Sequence, residues 1–406
     1  MTRRVTLTTL TCVTATVLVA GAACLVPGGA GQALADVATT TTSPACDPPA
    51  SGGLTMTRLP VPEGYSYVQV GALTESGAVM GNAWLDGTAH GIVWDPAGRF
   101  HDLGGLPGGS SARALAINEQ GEVAGVAGSP SGDTHAVIWR HGRITDLGTA
   151  GGRSSSVVGL DDAGTVFGTV WSSDDTSRAV RWDAQGHVTL LPGLGGAGSS
   201  TQVHNTMGMS AGQATTRAGV QDMAFWDRHG QVTDIMQARS NQTSATAMND
   251  RGVVVLHNYL DGAFRWDRVR GLVALPDPAD GRDSYPLAIN DAGTVAGMAF
   301  RDPPASVGNV AVRWSASGKV EMLPYLPGTD EAYAVAMNSS GTVVGENQLP
   351  NGMTHAVRWS PSGAVSDLGG VGSCGASDVM AINDHGVIAG DIRLPDSYEA
   401  VPVLWR

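Results

Sequence analysis

Four aromatic side chains stand at matching places in an internal repeat, and their chemistry suits the binding of flat apolar surfaces. The position that carries them lies three residues after a recurring glycine, and half of its eight copies are aromatic: Trp84, Trp171, Tyr259 and Phe300. Exposed aromatic rings offer stacking surfaces for sugar rings or for an apolar partner. Rings packed beneath the loops would instead stabilise the core, and the sequence leaves both interpretations open.

Acidic and imidazole side chains are weaker candidates for chemistry. Glycoside hydrolysis needs two carboxyl groups that face one bond across a cleft. Asp302, Asp396 and Glu399 fall on variable loops, but nothing in the sequence pairs them. Three histidines share one repeat position and fit hydrogen bonding to strand ends better than metal binding: His90, His135 and His355. We therefore assign no catalytic, cofactor-binding or metal-ligating residue, and favour a protein without enzymatic activity.

The elements that must position these side chains come from a signature of two glycines and a tryptophan, which has eight copies in 406 residues, with Leu256 at the second glycine position of the fifth copy. Successive first glycines lie 41 to 48 residues apart, a period typical of a four-stranded propeller blade. The first glycines are Gly77, Gly121, Gly164, Gly208, Gly252, Gly293, Gly341 and Gly386. We expect the tryptophans to pack between neighbouring blades, each with its indole N–H on a backbone acceptor. They are Trp94, Trp139, Trp182, Trp226, Trp266, Trp314, Trp359 and Trp405.

Each unit reads as four short strands joined by turns. In the unit from Ser111, the predicted strands are residues 114–117, 122–126, 136–139 and 143–147. They are too short for helices and rich in β-formers, while Asn and Gly mark the turns between them. One turn column carries Thr74, Asn118, Asp161, Asn205, Asn249, Asn290, Asn338 and Asn383. Turn geometry explains this column better than calcium does, because a calcium loop needs several oxygen ligands at alternate positions.

The two ends of the repeat complement each other. The last unit ends at Trp405-Arg406, after its third strand, while residues 56–60 match the fourth strands that other units place at 188–192 and 320–324. A first segment that supplies the missing strand closes a ring, which leaves no unpaired ring interface. We therefore predict an all-β fold: one eight-bladed β-propeller with four antiparallel strands per blade, closed by an N-terminal strand.

Strand order separates the two faces of such a ring. Turns between strands one and two, and between three and four, are short and uniform, whereas the other connections vary in length and composition. Variable loops on a rigid scaffold usually carry binding residues, so the functional side should be this variable-loop face, which also holds the aromatic column.

Several recurring motifs give a family resemblance. His135-Ala136-Val137-Ile138-Trp139, Thr145-Asp146-Leu147-Gly148 and Ala288-Ile289-Asn290-Asp291-Ala292-Gly293 resemble the HAF repeat family of extracellular repeat proteins. The resemblance covers nearly all of residues 65–406, although the naming motif is imperfect, with histidine in its first position in only three units. It implies export and a repeat scaffold, and it brings no assigned catalytic residues.

The N-terminal segment reads as an export signal. Residues 1–35 combine Arg3 and Arg4 with an apolar stretch and a small-residue cleavage site before Asp36. Two alternatives stay open: a transmembrane helix, and a lipoprotein anchored at Cys24. Residues 36–52 read as a disordered leader, and residues 53–406 as the propeller.

Cleavage would leave two cysteines and an acidic chain. Cys46 and Cys374 suggest one disulfide bond in an oxidising compartment. The full chain carries a net charge of −13 with Lys319 as its only lysine, so nucleic acid is an unfavourable partner. We expect a secreted monomer that binds an extracellular glycan or protein through the variable-loop face, with no membrane span in the mature chain. A propeller hydrolase or lyase acting on extracellular polysaccharide is the alternative.

Overall fold

The computed structural model describes residues 53–237, 242–279, 283–300, 308–350, 352–369, 375–393 and 399–406. Within these ranges the chain forms eight four-stranded antiparallel sheets, which confirms the all-β fold of eight blades. The same ranges hold no helix that is long and apolar enough to cross a bilayer. The expected signal segment, the leader, Cys24, Cys46, Cys374, Asp302 and Asp396 lie outside the described residues.

The strands of the first four blades follow one another as consecutive hairpins. The N-terminal strand is β1 (Met56–Arg58). Blade one has β2 (Tyr65–Leu73), β3 (Val79–Leu85), β4 (Thr88–Trp94) and β5 (Phe100–Asp102). Blade two has β6 (Ala112–Ile117), β7 (Val123–Gly128), β8 (Thr134–Arg140) and β9 (Arg143–Gly148). Blade three has β10 (Ser154–Leu160), β11 (Val166–Trp171), β12 (Ser177–Trp182) and β13 (Val188–Leu190). Blade four has β14 (Gly195–His204), β15 (Ser210–Thr216), β16 (Gln221–Trp226) and β17 (Val232–Asp234).

The remaining four blades repeat this order, and in the last blade the outer strand is the N-terminal strand β1. Blade five has β18 (Thr243–Met248), β19 (Val254–Asn258), β20 (Gly262–Asp267) and β21 (Gly271–Ala274). Blade six has β22 (Asp283–Ile289), β23 (Val295–Phe300), β24 (Val310–Trp314) and β25 (Val320–Met322). Blade seven has β26 (Glu331–Met337), β27 (Val343–Gln348), β28 (Thr354–Trp359) and β29 (Val365–Asp367). Blade eight has β30 (Ala376–Ile382), β31 (Ile388–Arg393) and β32 (Ala400–Trp405).

The blades form a closed ring around their first strands. Each first strand contacts the first strand of the next blade, and β30 of blade eight contacts β2 of blade one. β1 pairs antiparallel with β32, with Met56 opposite Trp405 and Arg58 opposite Val403. The predicted closure by the N-terminal strand is therefore confirmed, and this pairing completes the fourth sheet position of blade eight.

The core lies between neighbouring blades, with the repeated tryptophan at its centre. All eight indoles are at most 5% exposed, and six donate Nε1–H to a carbonyl that follows the outer strand of the preceding blade. Trp94 donates to Pro60 O at 2.7 Å, and Trp139 donates to Gly104 O at 3.0 Å. The indole explains the second glycine, because a Cβ at Gly125 would lie 3.0 Å from the Trp139 ring and 2.0 Å from Arg113 O.

The fifth copy of the signature departs from this pattern. Leu256 takes the place of the second glycine there and is fully buried opposite Ala245. The tryptophan of that blade, Trp266, packs on Phe225 of the preceding blade with the ring centroids 4.9 Å apart. The strand pairing survives the larger side chain, so the glycine is a packing preference and not a requirement of the blade.

The asparagine column links the blades on the short-turn face. Six of its members donate Nδ2–H to the backbone carbonyl of the matching residue in the next blade, at 2.9–3.3 Å. The donors are Asn118, Asn205, Asn249, Asn290, Asn338 and Asn383. In the same residues Oδ1 accepts backbone N–H groups of the local turn, for example from Val253 to Asn249 at 2.9 Å. These oxygens are thus committed to turn geometry, and within the described ranges no three His, Cys, Asp or Glu side chains converge as a metal site.

Candidate functional site

The aromatic column lies where second strands end on the variable-loop face. Trp84 lies in β3, Trp171 and Phe300 end β11 and β23, and Tyr259 directly follows β19. Tyr259 is 69% exposed, whereas the other three rings are half-buried. Among the described residues no ring contact joins one member of the column to another. The column therefore supplies separate surfaces around the ring and not one continuous patch.

A larger aromatic corner surrounds Trp84 at the boundary of blades one and two. The Tyr67 ring meets the Trp84 ring edge-on, with centroids 6.4 Å apart and an interplanar angle of 81°. The Arg113 guanidinium of blade two lies over the Trp84 ring, with Cζ 5.2 Å from the ring centroid. Tyr67 is 67% exposed, so an apolar face, a cationic group and a half-buried indole meet at one rim.

The conformation of Tyr67 is unusual. A β-bulge between Ser66 and Gln69 leaves it outside the regular register of β2 and β3, and its φ is +48°. A left-handed conformation costs a non-glycine residue roughly 1–2 kcal/mol, and strain of this kind concentrates at functional sites. The bulge is what turns the ring outward beside Trp84.

A second aromatic group lies on blades five and six. The Tyr259 ring meets the buried His257 ring at 5.0 Å, and His257 packs against Tyr285 at 4.3 Å. Burial lowers the pKa of His257, which keeps this imidazole neutral, and burial also raises the pKa of Tyr285. Leu260, next to Tyr259, is 75% exposed. The group presents an apolar surface supported by a neutral histidine.

A cluster of carboxyl groups lies below the same rim, in blades seven and eight, with Asp391 reaching blade one, and was not anticipated from the sequence. Glu346 faces Tyr333 across β26 and β27, and Asp391 faces Asp378 across β30 and β31. Asp378 accepts hydrogen bonds from Arg393 at 2.6 Å and from Thr354 Oγ1 at 2.9 Å. We call the Glu346, Asp378 and Asp391 carboxyl groups, with Tyr333 and Arg393, the acid cluster.

Burial and neighbouring charge shift the pKa of two members of the acid cluster. Burial raises the pKa of Glu346 to about 8, and the negative charge of Asp378 adds to the shift. Burial likewise raises the pKa of Asp391 to about 7, although its carboxylate accepts a hydrogen bond from Val70 N at 3.3 Å. Its other oxygen, Oδ1, is buried and has no hydrogen-bond partner among the described residues. A protonated Glu346 thus lies near Asp378, whose charge is paired with Arg393.

The position of these acids follows a rule that other blades also obey. The side chain after the second glycine reaches the backbone of the next blade: Asn82 hydrogen-bonds both N and O of Ala114 at 2.9 Å, and Thr169 Oγ1 accepts from Thr201 N at 3.2 Å. Glu346 and Asp391 occupy this column in blades seven and eight. An acid directly after the second glycine was the signal that could have found them.

The three repeat histidines form pairs with the fourth strand of their own blade. Nδ1 of His90 and of His135 lies 2.8 Å from the carboxylate of Asp102 and Asp146, and His355 Nδ1 lies 3.1 Å from Asp367. Each carboxylate also accepts the backbone N–H two residues later, as Asp146 does from Gly148 at 2.7 Å. These contacts tie strands three and four together at their ends.

A polar depression opens between blades three and four. Its volume is about 230 Å³, and its lining includes Asp175, Ser177, Ser200, Gln213 and Thr215. Thr215 is the blade-four member of the column that holds Trp84 and Trp171. The depression lacks an aromatic lining residue, so its chemistry differs from the two aromatic groups.

The comparisons with known proteins identify a fold. No protein-family model matches the chain, and no curated protein matches it. A solved prolyl endopeptidase is 10% identical, with 80% of this chain and 54% of that chain covered and a TM-score of 0.51. Dipeptidyl peptidase 4 from Porphyromonas gingivalis is 10% identical, with 79% and 56% covered and a TM-score of 0.50. Virginiamycin B lyase from Staphylococcus aureus is 9% identical, with 86% and 98% covered and a TM-score of 0.42.

These similarities set the limit of what transfers. The chain spans little more than half the length of the two peptidases. At 10% identity the match shows a shared propeller-type fold and not a shared activity. The function must therefore be argued from the variable-loop face itself.

Proposed function

We propose that this protein is a secreted member of the HAF repeat family that recognises an extracellular glycan through its variable-loop face. The observation that carries the proposal is the exposure of aromatic rings on a rigid rim: Tyr67 is 67% exposed and Tyr259 is 69% exposed. Export rests on residues 1–35, and family membership rests on the recurring motifs of the sequence.

Contact of the apolar ring faces with water is unfavourable, so a partner that covers these faces gains binding free energy. Tyr offers a large, rigid contact face with two rotatable bonds, and its hydroxyl group can hydrogen-bond to sugar hydroxyls. Tyr259 and Leu260 together present such a face beyond the end of β19. Strands anchored in the blade hold the face in place, so a ligand pays little to order it.

The test combines glycan arrays and polysaccharide pull-downs on the mature chain with matched variants. Tyr259→Ala should lose retention while the melting temperature stays within a few degrees, because exposed side chains contribute little to stability. Trp84→Ala and Trp171→Ala should lose retention and also some stability, since both rings are half-buried. Thr215→Ala and Gln348→Ala, at the same column in other blades, are the controls.

Two results would overturn glycan recognition. One is the absence of retention on every glycan and polysaccharide offered to the unmodified chain. The other is retention that survives all the aromatic substitutions. Capture of a protein partner that depends on Tyr259 would assign the same face to protein recognition instead.

A second candidate, a propeller hydrolase or lyase acting on polysaccharide, is favoured by the acid cluster alone. A carboxyl group that stays protonated near neutral pH beside a charged carboxylate is the arrangement that general-acid cleavage of a glycosidic bond uses. Glu346 would be the proton donor, and Asp378 would be the charged partner held by Arg393.

The assay for this candidate is product release from a polysaccharide panel, followed as new reducing ends and as ultraviolet absorbance of unsaturated products. Glu346→Gln should abolish turnover, whereas Glu63→Gln, at an exposed site, should not change it. Turnover by wild type should fall as the pH rises past about 8, where Glu346 loses its proton. No product from any substrate, or full activity in Glu346→Gln, would dismiss the enzymatic assignment.

A further inference from the structure

The aromatic corner of Tyr67, Trp84 and Arg113 contains an arginine without a carboxylate partner. Arg113 is exposed, its guanidinium lies over the Trp84 ring, and within the described residues it makes no ion pair or side-chain hydrogen bond. Two other exposed arginines of the same face are paired, Arg153 with Asp175 at 2.9 Å and Arg393 with Asp378 at 2.6 Å, whereas Arg178 and Arg217 are exposed and make no ion pair among the described residues. Arg113 differs from those arginines because its guanidinium lies over an aromatic ring, that of Trp84.

The contact with Trp84 leaves the N–H donors of this guanidinium available. A cation–π contact holds the charge near the ring face without using an N–H hydrogen bond. Those donors match a planar carboxylate through two parallel hydrogen bonds. Trp84 therefore holds the Arg113 guanidinium at the rim and leaves its N–H donors for a carboxylate partner.

Tyr67 supplies the second half of the site. Its ring meets Trp84 at 6.4 Å, and Arg113 meets Trp84 at 5.2 Å, so ring and cation lie within the reach of one short oligosaccharide. The left-handed backbone of Tyr67 does not serve to bury its own ring, which is 67% exposed. Strain retained for an exposed ring is accounted for if the ring contacts a ligand.

We propose that Tyr67, Trp84 and Arg113 form a subsite for a uronic acid residue of an acidic polysaccharide. The sugar ring stacks on Tyr67, and its carboxylate accepts hydrogen bonds from Arg113. The inference rests on the proposed glycan recognition and adds its ligand class. A chain with a net charge of −13 repels a polyanion in general, so a subsite for one needs an exposed cation, which Arg113 supplies beside two aromatic rings.

The experiment compares two ligands that differ only in the charged group. Binding of a defined oligogalacturonate and of its fully methyl-esterified form is measured by calorimetry on the mature chain at low and moderate salt. We expect the free acid to bind at least about tenfold more tightly than the ester, since a hydrogen bond to a charged group is worth at least one factor of ten. The difference should narrow as salt is added.

Variants assign the effect to Arg113 and Tyr67. Arg113→Gln should erase the preference for the acid, and Arg113→Lys should retain only part of it because the two-pronged donor is lost. Arg153→Gln removes an exposed, paired arginine from the same face and should change nothing. Tyr67→Asn places at this position a residue that tolerates positive φ, so the melting temperature should stay unchanged. The variant should bind both ligands more weakly, because the ring on which the sugar stacks is lost.

The outcomes distinguish this inference from the proposed function. Equal affinity for acid and ester, or an acid preference that survives Arg113→Gln, overturns the uronate subsite and leaves glycan recognition standing. Loss of binding in Arg153→Gln to the same extent as in Arg113→Gln also overturns it, since the attraction would then be diffuse charge. Absence of binding to these ligands and to every other glycan removes the proposed function and the subsite together.

Discussion

Burial of single carboxyl groups determines their protonation state in the acid cluster. Glu346 is 9% exposed and Asp391 is 7% exposed, and both share the field of Asp378. An ionised carboxylate in such a site loses hydration that one arginine, Arg393, does not replace, so the neutral form is favoured. The acid cluster is consequently a source of instability at alkaline pH, whatever ligand or reaction it serves.

Replacing Glu346 by Gln tests this at the residue scale. The folded pKa of about 8 lies above the ordinary value of 4.5, so the folded state keeps a proton that the unfolded chain loses. Wild-type stability should therefore fall as the pH rises from about 4.5 to about 8, by an amount on the order of a few kcal/mol. Glu346→Gln should remove that part of the slope and exceed wild type in stability at pH 9.

Urea unfolding at pH 4.5, 6.5 and 9 measures the effect, with Glu63→Gln as the exposed control. Asp391 contributes a slope of the same sign between its ordinary pKa and about 7, so some pH dependence should remain in the variant. A Glu346→Gln protein with the same slope as wild type would show that Glu346 is ionised throughout.

At the scale of the elements, hydrogen bonds across blades hold the ring in register. In the asparagine column on the short-turn face, six of the eight side chains donate a hydrogen bond to the next blade. Asp161 is one of the two that do not. Asp161 has no amide to donate, its Oδ1 accepts from Thr165 N at 2.7 Å, and burial raises its pKa. The boundary between blades three and four therefore lacks the amide hydrogen bond that six other boundaries have.

Asp161→Asn should repair this link. An amide at this position can donate to Asn205 O, as Asn205 itself donates to Asn249 O at 2.9 Å, and it removes a desolvated charge. The expected gain in unfolding free energy is about 1 kcal/mol at pH 7, the net worth of one buried hydrogen bond. The reverse change, Asn249→Asp, should cost a similar amount. Denaturant melts of both variants give the comparison, and a destabilised Asp161→Asn would contradict the role assigned to the column.

The elements also show what sequence could and could not predict. The strands were predictable because each pattern recurs eight times, so a local ambiguity in one unit is resolved by the others. The acid cluster was not, because Glu346 and Asp378 lie 32 positions apart in different blades and meet only through the register of β27 and β30. Tyr67 could not be predicted for a second reason. A β-bulge moves it out of the repeat columns, and a bulge leaves no periodic pattern in the sequence.

The whole molecule divides its two faces between uniformity and variation. The short-turn face repeats the same amide hydrogen bond from blade to blade, whereas the variable-loop side differs among the blades: an aromatic corner, an aromatic–histidine group, a polar depression and an acid cluster. Such a scaffold can change its ligand without changing its closure. Closure is then the property on which every surface depends.

A chain that begins at residue 62 tests closure directly, beside one that begins at residue 36. The shorter chain loses β1, the buried Leu59 and the carbonyl of Pro60 that accepts from Trp94. It also leaves β32 as an unpaired edge, which invites association with other chains. We expect a stability loss of several kcal/mol, since a strand's pairing and packing are lost together, and concentration-dependent oligomers. Thermal melts and size-exclusion chromatography measure both effects.

A synthetic peptide of residues 53–61 should restore part of the melting temperature as its concentration rises, because it binds only the folded ring. Equal melting temperatures for the two chains would mean that the ring holds without its N-terminal strand.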